Sequence, residues 1–205
     1  MARAPDLARR AELAARAFDV IRTRGVTNTT MSDLAAELGL KRPTLYFYFK
    51  DLGAVFEAVL EETQRTYFAH VTSKVAGVVH PIDLLAQVMR ATLEFHQGRR
   101  DRIVLLFQLW AVGGSDPEQV IAKNRELVEP MRALLVKTIE QGVAGGWIAP
   151  CDPARLVDLA LTVLDGSLVH EVIRSQSSLP LVDEFEKRVL APLRRSRPRR
   201  KKKKS

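Results

Sequence analysis

The chain has 205 residues and a hydrophobic fraction of 46%, enough to bury a core in one or two domains. Its one cysteine, Cys151, excludes an intramolecular disulfide. No run approaches the roughly eighteen apolar residues of a membrane span and no secretory segment opens the chain, so a reducing, cytoplasmic setting is expected. The net charge of +8 is uneven: residues 1–60 carry +2, 61–193 carry −3 and 194–205 carry +9, so the basicity belongs to the tail.

A first helix is expected up to Gly25. Leu7, Ala11, Ala14, Phe18 and Ile21 make an apolar stripe at spacings of three and four, and a glycine suits the exit from the helix.

Thr30 to Lys50, TMSDLAAELGLKRPTLYFYFK, then read as helix, corner, helix. Thr30 and Asp33 have capping-box spacing, so a helix should begin near Met31. Met31, Leu34, Ala35 and Leu38 form its apolar face. Gly39 stands where the chain must turn out of that helix, since a glycine carries no Cβ penalty in the left-handed region. Leu40 and Leu45 are placed to fill the angle between the helices. Pro43 suits a first helical turn, where no intrahelical N–H is needed. Leu45 and Phe49 point inward, leaving Arg42, Thr44, Phe47 and Tyr48 for the outer surface. A short aromatic helix bracketed by Lys41, Arg42 and Lys50 has the shape of a helix-turn-helix whose second helix fits the DNA major groove.

This segment, from about Asp6 to Phe56, resembles the DNA-binding domain of the TetR family of bacterial repressors. The likeness is carried by TTMSDLAAELGLKRPTLYFYFK, with its Gly-Leu corner, Pro-Thr-Leu-Tyr run and Tyr-Phe-Lys end. It covers roughly a quarter of the chain by motif, and the remainder only by length and helical layout. Two positions depart from the family pattern: Leu52 stands where a second lysine is usual, and Lys41 stands where serine is common.

The resemblance implies an all-α protein. Residues 1–52 would form a three-helix DNA-binding domain, 53–193 a helical effector-binding and dimerisation domain, and 194–205 a basic, disordered tail. It implies roles on duplex DNA as well. Thr30, Thr44 and Lys50 are expected at phosphates, Tyr46 and Tyr48 at the sugar-phosphate backbone, and Arg42 at a guanine edge. Pro43 shapes the helix start. Phe47 is open between a thymine methyl and the helix edge, and Lys41 between a groove contact and a solvated cation.

Beyond the motif the pattern is helix after helix. One runs from about Asp51 to Lys74, and Pro81, Gly98, Gly113–Asp116, Gly145-Gly146 and Pro150 punctuate the next. Pro130 is expected to kink or break a pattern otherwise continuous from Pro117 to Val143. The last two helices are expected at Pro153–Arg174 and Leu181–Leu193. Leu156, Leu159, Ala160, Val163, Gly166 and Ser167 on the first, with Val182, Phe185 and Val189 on the second, form stripes that either close a monomer core or pair two copies. The resemblance favours a homodimer through these helices, and with it a palindromic operator.

The family also implies a pocket for a small-molecule effector, and an apolar ligand is the default here. Candidates are Phe68, Met89, Phe95, His96, Phe107, Trp110 and Trp147, with His96 and Gln108 as the polar anchors. The resulting function is a ligand-responsive transcriptional repressor without cofactor. The alternatives are a nonspecific architectural DNA binder working through the tail, or an enzyme built on a helical bundle. The enzyme has little support. The four histidines make no i, i+4 pair, Cys151 has no base beside it, and no phosphate loop or catalytic carboxylate pair is present. No metal ligand and no catalytic residue is nominated.

Overall fold

The computed structural model describes residues 6–97, 99, 101–105, 108 and 117–196, with the side chains of 117–124 and 127 left aside. The regular elements among these residues are all helical, and the one pairing of extended backbone among them is an isolated bridge between Ile148 and Arg194. The helices are α1 Leu7–Arg24, α2 Met31–Glu37, α3 Arg42–Tyr48, α4 Leu52–Val75, α5 Pro81–His96, α6 Pro117–Ala144, α7 Pro153–Arg174 and α8 Leu179–Phe185. A π turn, Glu186–Leu190, and a 3-10 turn, Ala191–Leu193, follow α8. The chain falls into two compact units: Met1–Ala69 with Arg99–Ala122, and His70–Gly98 with Lys123–Ser205. The boundary expected at residue 52 is the start of α4, and the first unit carries on to Ala69.

The first unit is a three-helix cluster closed by the start of α4. Leu13, Ala14, Ala17, Phe18 and Ile21 of α1 are buried against Met31, Leu34, Ala35 and Leu38 of α2 region, Leu45 and Phe49, and Val55, Phe56 and Val59 of α4. Leu7, expected in the α1 stripe, is 78% exposed, because it opens the helix ahead of the packed turns. Leu105 joins this core from a distant stretch of chain.

In the second unit α5 packs on α7 and α8. Asp152 caps α7 through the backbone N–H of Arg155 at 3.1 Å, and α7 takes the bounds expected for it, Pro153–Arg174. The next helix starts at Leu179, two residues before the expected position. Its start is set by the buried Ser178, whose N–H donates to Glu171 at 2.6 Å and whose hydroxyl donates to the Ser167 carbonyl at 3.0 Å. Arg90 of α5 reaches Asp183 and Glu186 and ties α5 to α8. Pro130 does not break α6. It is an exposed position, where water can take the carbonyl that the ring releases, so the helix runs on to Ala144.

The end of the described chain is fastened to the second unit. Ala149 N–H donates to the Leu193 carbonyl at 2.8 Å, and Arg195 N–H to the Trp147 carbonyl at 2.8 Å. The buried His80 closes the joint. Its Nδ1 accepts from Ile82 N–H at 3.2 Å and so caps α5, which leaves the proton on Nε2. Nε2 then donates to the carbonyls of Trp147, 3.1 Å, and Arg195, 3.3 Å.

Candidate nucleic-acid interface

The helix-turn-helix is fixed by local chemistry. The Thr30 hydroxyl accepts from Asp33 N–H at 3.2 Å, and the Asp33 carboxylate accepts in return from Thr30 N–H at 3.0 Å. These two bonds satisfy free donors at the start of α2 and set its first turn. The hydroxyl and backbone N–H of Thr30, and then Arg24, hold the Asp33 carboxyl below the usual carboxylate range. The Thr30 hydroxyl also lies 2.6 Å from the Asp33 carboxylate and donates to it. The hydroxyl expected at a phosphate is therefore taken by its own helix cap.

Gly39 leaves α2 with φ +68, in the left-handed region, and Leu40 N–H bonds back to the Ala35 carbonyl at 2.8 Å. That corner throws the chain across α2 and starts α3. Lys41 precedes α3 without a side-chain capping bond, and Pro43 lies in the first turn. Leu45 and Phe49 are buried, as their spacing required. Tyr48 is half-buried against the core instead of standing outside with Phe47, and the two rings meet edge to face at 5.2 Å. Phe49 also lies under the Arg10 guanidinium, 5.4 Å from the ring centre.

What remains outside is the face that matters. Arg42, Pro43 and Thr44 are exposed, as are Lys41 and Lys50 at the two ends, and Tyr46 and Phe47 are 43% and 46% exposed. α3 thus touches the body along one seam, Leu45, Tyr48 and Phe49, and presents the rest of its surface. Seven residues make a rod of about 10 Å, short enough to lie within a major groove about 12 Å wide. Leu52 is half-buried against the core, an apolar side chain where the family pattern has a cation. Asp51 caps α4 through Ala54 N–H at 2.8 Å.

Several supports of this face carried no signal in the sequence. Arg16 donates to the Leu38 carbonyl at 3.1 Å and closes the end of α2. Arg24 pairs with Asp33 and Glu37 and fastens the end of α1 to α2. The helical residues 101–105 pack on α1: Asp101 pairs with Arg22, the Arg102 guanidinium stacks 4.9 Å from the Phe18 ring, and Leu105 enters the core. Each of these is a polar or apolar position on an ordinary helix until its distant partner is known.

The residues expected at the dimer interface divide. Leu156, Ala160, Ser167, Val182 and Phe185 are buried within the protomer. Leu159 and Gly166 are exposed, and Val163 and Val189 are half-buried. The exposed side of α7 extends to Val169 and to Ile173, which is 73% exposed, and Leu181 stands out on α8. Two apolar sides therefore share α7, one buried within the protomer and one open.

The residues expected at the effector pocket also divide. Met89 and Phe95 are buried in α5, with His96 beside Phe95 at 5.0 Å between ring centres. Trp147 packs on His80 at 5.6 Å, at the other end of α5, about 22 Å away along the helix axis. Phe68 and the exposed Gln108 belong to the first unit. Phe107 and Trp110 lie outside the described residues. His70, which no sequence pattern marked, joins Phe95 at 5.6 Å, and its Nε2 is buried with no hydrogen-bond partner among the described residues. Among the described residues no group of acids, histidines or cysteines is arranged to hold a metal ion, and no helix is long and apolar enough to cross a membrane.

Residues 13–59 match the family model of the bacterial regulatory proteins of the tetR family. The chain is 28% identical over 145 residues to the HTH-type transcriptional repressor KstR2 of Mycolicibacterium smegmatis, a span of 69% of this chain and 68% of that one. A TetR transcription regulator from Haloarcula marismortui superposes with a TM-score of 0.79 at 17% identity, over 92% of this chain and 100% of that one. The structure of AibR in complex with isovaleryl coenzyme A and operator DNA superposes with a TM-score of 0.64 at 17% identity, over 89% and 98%. The matched residues are the ones that build the capped α2, the Gly39 corner and the outward face of α3, so over residues 13–59 the chain carries a DNA-binding domain like that of the tetR family of bacterial regulatory proteins.

Proposed function

We propose that the protein is a ligand-responsive repressor that binds a palindromic operator as a two-fold dimer. The observation that carries this reading is α3 itself. It is held to the body along a single seam, and it turns Arg42, Thr44, Tyr46 and Phe47 outward between Lys41 and Lys50. Arg42 reads a guanine edge with its two-pronged donor, while Thr44, Tyr46 and Lys50 take phosphates and set the register. Thr30 serves the interface by holding α2 in place. Tyr48 acts from its half-buried seat mainly by supporting Phe47.

The dimer forms through the uncovered side of α7. Leu159, Val169 and Ile173, with the half-buried Val163 and the open Gly166 among them, recur along it, and exposed apolar side chains beside an open glycine suit close approach by a second copy. The effector lodges beside His70, Phe95 and His96. It is a largely apolar molecule with at least one polar group for the buried His70 nitrogen. The AibR complex, in which one protein of this fold holds a small molecule and operator DNA, supports the pairing of the two roles. An effector must bind the released and DNA-bound states with different affinity, or it shifts nothing.

Selection of bound sites from random duplexes tests the reading. The expected product is a two-fold sequence with half-sites centred about 10 base pairs, or a multiple of that, apart. Recovery of unrelated duplexes, with binding erased by random competitor at moderate salt, would favour the architectural alternative.

A further inference from the structure

α1 carries five arginines, and four of them are held in ion pairs. Arg9 pairs with Glu12, Arg10 with Glu61, Arg22 with Asp19 and Asp101, and Arg24 with Asp33 and Glu37. Arg16 is the exception. It is exposed, no carboxylate among the described residues pairs with it, and the four carboxylates within α1 and α2 are all engaged by the other arginines. A single hydrogen bond places its guanidinium, from Nη2 to the Leu38 carbonyl at 3.1 Å, at the end of α2. A guanidinium has five N–H donors, so most of them are left to meet another acceptor.

That bond sets an unpaired cation at the corner from which α3 starts. Leu38 is followed by Gly39, whose Cβ position has no atom within 4 Å, so the corner is open to approach. The exposed Lys41 brings a second cation three residues on, a span of at most about 11 Å of chain. At the other end of α3, Arg10 reaches over the Phe49 ring, 5.4 Å from its centre, so side chains of α1 flank α3 at both ends. The rise of α1 from Arg10 to Arg16, about 9 Å, matches the length of α3, about 10 Å. A helix lying in a groove about 12 Å wide has a sugar-phosphate strand along each side. Side chains that flank the helix therefore come next to phosphates. An unpaired guanidinium suits that place, because its planar fork donates to two phosphate oxygens at once.

We propose that Arg16 is a direct DNA contact, which keeps its bond to Leu38 and donates its remaining N–H groups to a backbone phosphate beside the start of α3. α1 thereby takes part in binding and is more than a brace for α2 and α3. A phosphate contact adds affinity without sequence preference and fixes how the corner sits against the duplex. The inference rests on the reading of α3 as a DNA reader, but its test separates the two.

The full chain is compared with Arg16→Gln and Arg16→Met, which remove the charge, and with Arg16→Lys, which keeps it. Urea unfolding of each separates loss of fold from loss of binding. Affinity for the selected operator and for a random duplex is then measured across a salt series. The log-log slope counts neutralised phosphates, about 0.9 for each, so one lost contact per protomer takes about two units from a dimer. A residue that only braced the corner would leave that slope unchanged. Both neutral variants are expected to bind operator and random duplex about tenfold or more weakly, by a similar factor, and to lose about two units of slope. Arg16→Lys should keep the slope. Neutral variants with the full slope, at any affinity, overturn the contact and leave operator reading by α3 intact. A loss confined to the operator makes Arg16 a base reader and overturns the contact as well. If neither neutral variant folds, the guanidinium belongs to the fold and the proposal fails. A slope that falls in a protein with no preference among duplexes supports Arg16 and overturns the reading of α3.

Discussion

Replacing Arg42 by alanine tests the reading of α3 most directly. Arg42 is exposed at the first residue of α3, and no ion pair among the described residues engages it, so its removal should leave folding within about 0.5 kcal/mol. On DNA the outlook differs. A bidentate arginine on a guanine edge discriminates by about 1–3 kcal/mol, and a two-fold dimer uses the contact twice, so the dimer should lose about 2–6 kcal/mol. At about 1.4 kcal/mol per decade, that is a weakening of roughly thirtyfold to twenty-thousandfold. Fluorescence anisotropy with the selected operator, and with duplexes altered at one base pair per half-site, supplies the assay. The wild-type protein should discriminate at that position. Arg42→Ala should bind both duplexes alike, and the loss from changing protein and base together should fall short of the sum of the single losses. An equal loss on every duplex, random sequences included, would show that Arg42 meets a phosphate and refute the assignment.

Other outcomes follow from the same geometry. Leu159→Glu together with Ile173→Glu should convert the proposed dimer to a folded monomer in sedimentation, with operator affinity lost; a dimer that persists would place the interface elsewhere. Gly142→Ala should cost about 1–3 kcal/mol in urea unfolding, because its Cβ would stand 2.5 Å from Cδ1 of the buried Ile148 and 3.0 Å from Pro81 Cγ; an unchanged midpoint would mean that the Ile148 end gives way freely. Thr30→Ala should lower stability by about 1 kcal/mol through the lost α2 cap, with Thr30→Ser close to wild type, and affinity should track that loss of fold; a binding defect at full stability would return Thr30 to the phosphates. The Asp83 carboxyl is held below its usual range, first by its bond to Arg194. The stabilisation is therefore present above the unfolded pKa of about 3.9 and fades as pH drops through the lower folded value. Thermal melts of the wild type and Asp83→Asn should differ at pH 7 and converge towards pH 3; a constant gap would exclude the ion pair as its source.

The sequence by itself determined the reading head. Thr30 and Asp33 cap a helix through bonds three residues apart, Gly39 supplies the one backbone shape the corner needs, and Pro43 opens α3; these are local forces, so they are legible in local spacing. The bounds of α7 follow likewise from Asp152 and Pro153 at its start. Tertiary structure alone decided what covers each face. Periodicity marks an apolar side of a helix without naming its neighbour. Only their burial in the folded protomer showed that Leu156 and Ala160 belong to its core while Leu159 and Ile173 stand open. The same holds for Leu105 in the core around α1, for Trp147 packed on His80 at the start of α5, and for Asp83 holding Arg194. Each is a contact between residues far apart in the chain, whose energy comes from burial or pairing in three dimensions and leaves no period in the sequence.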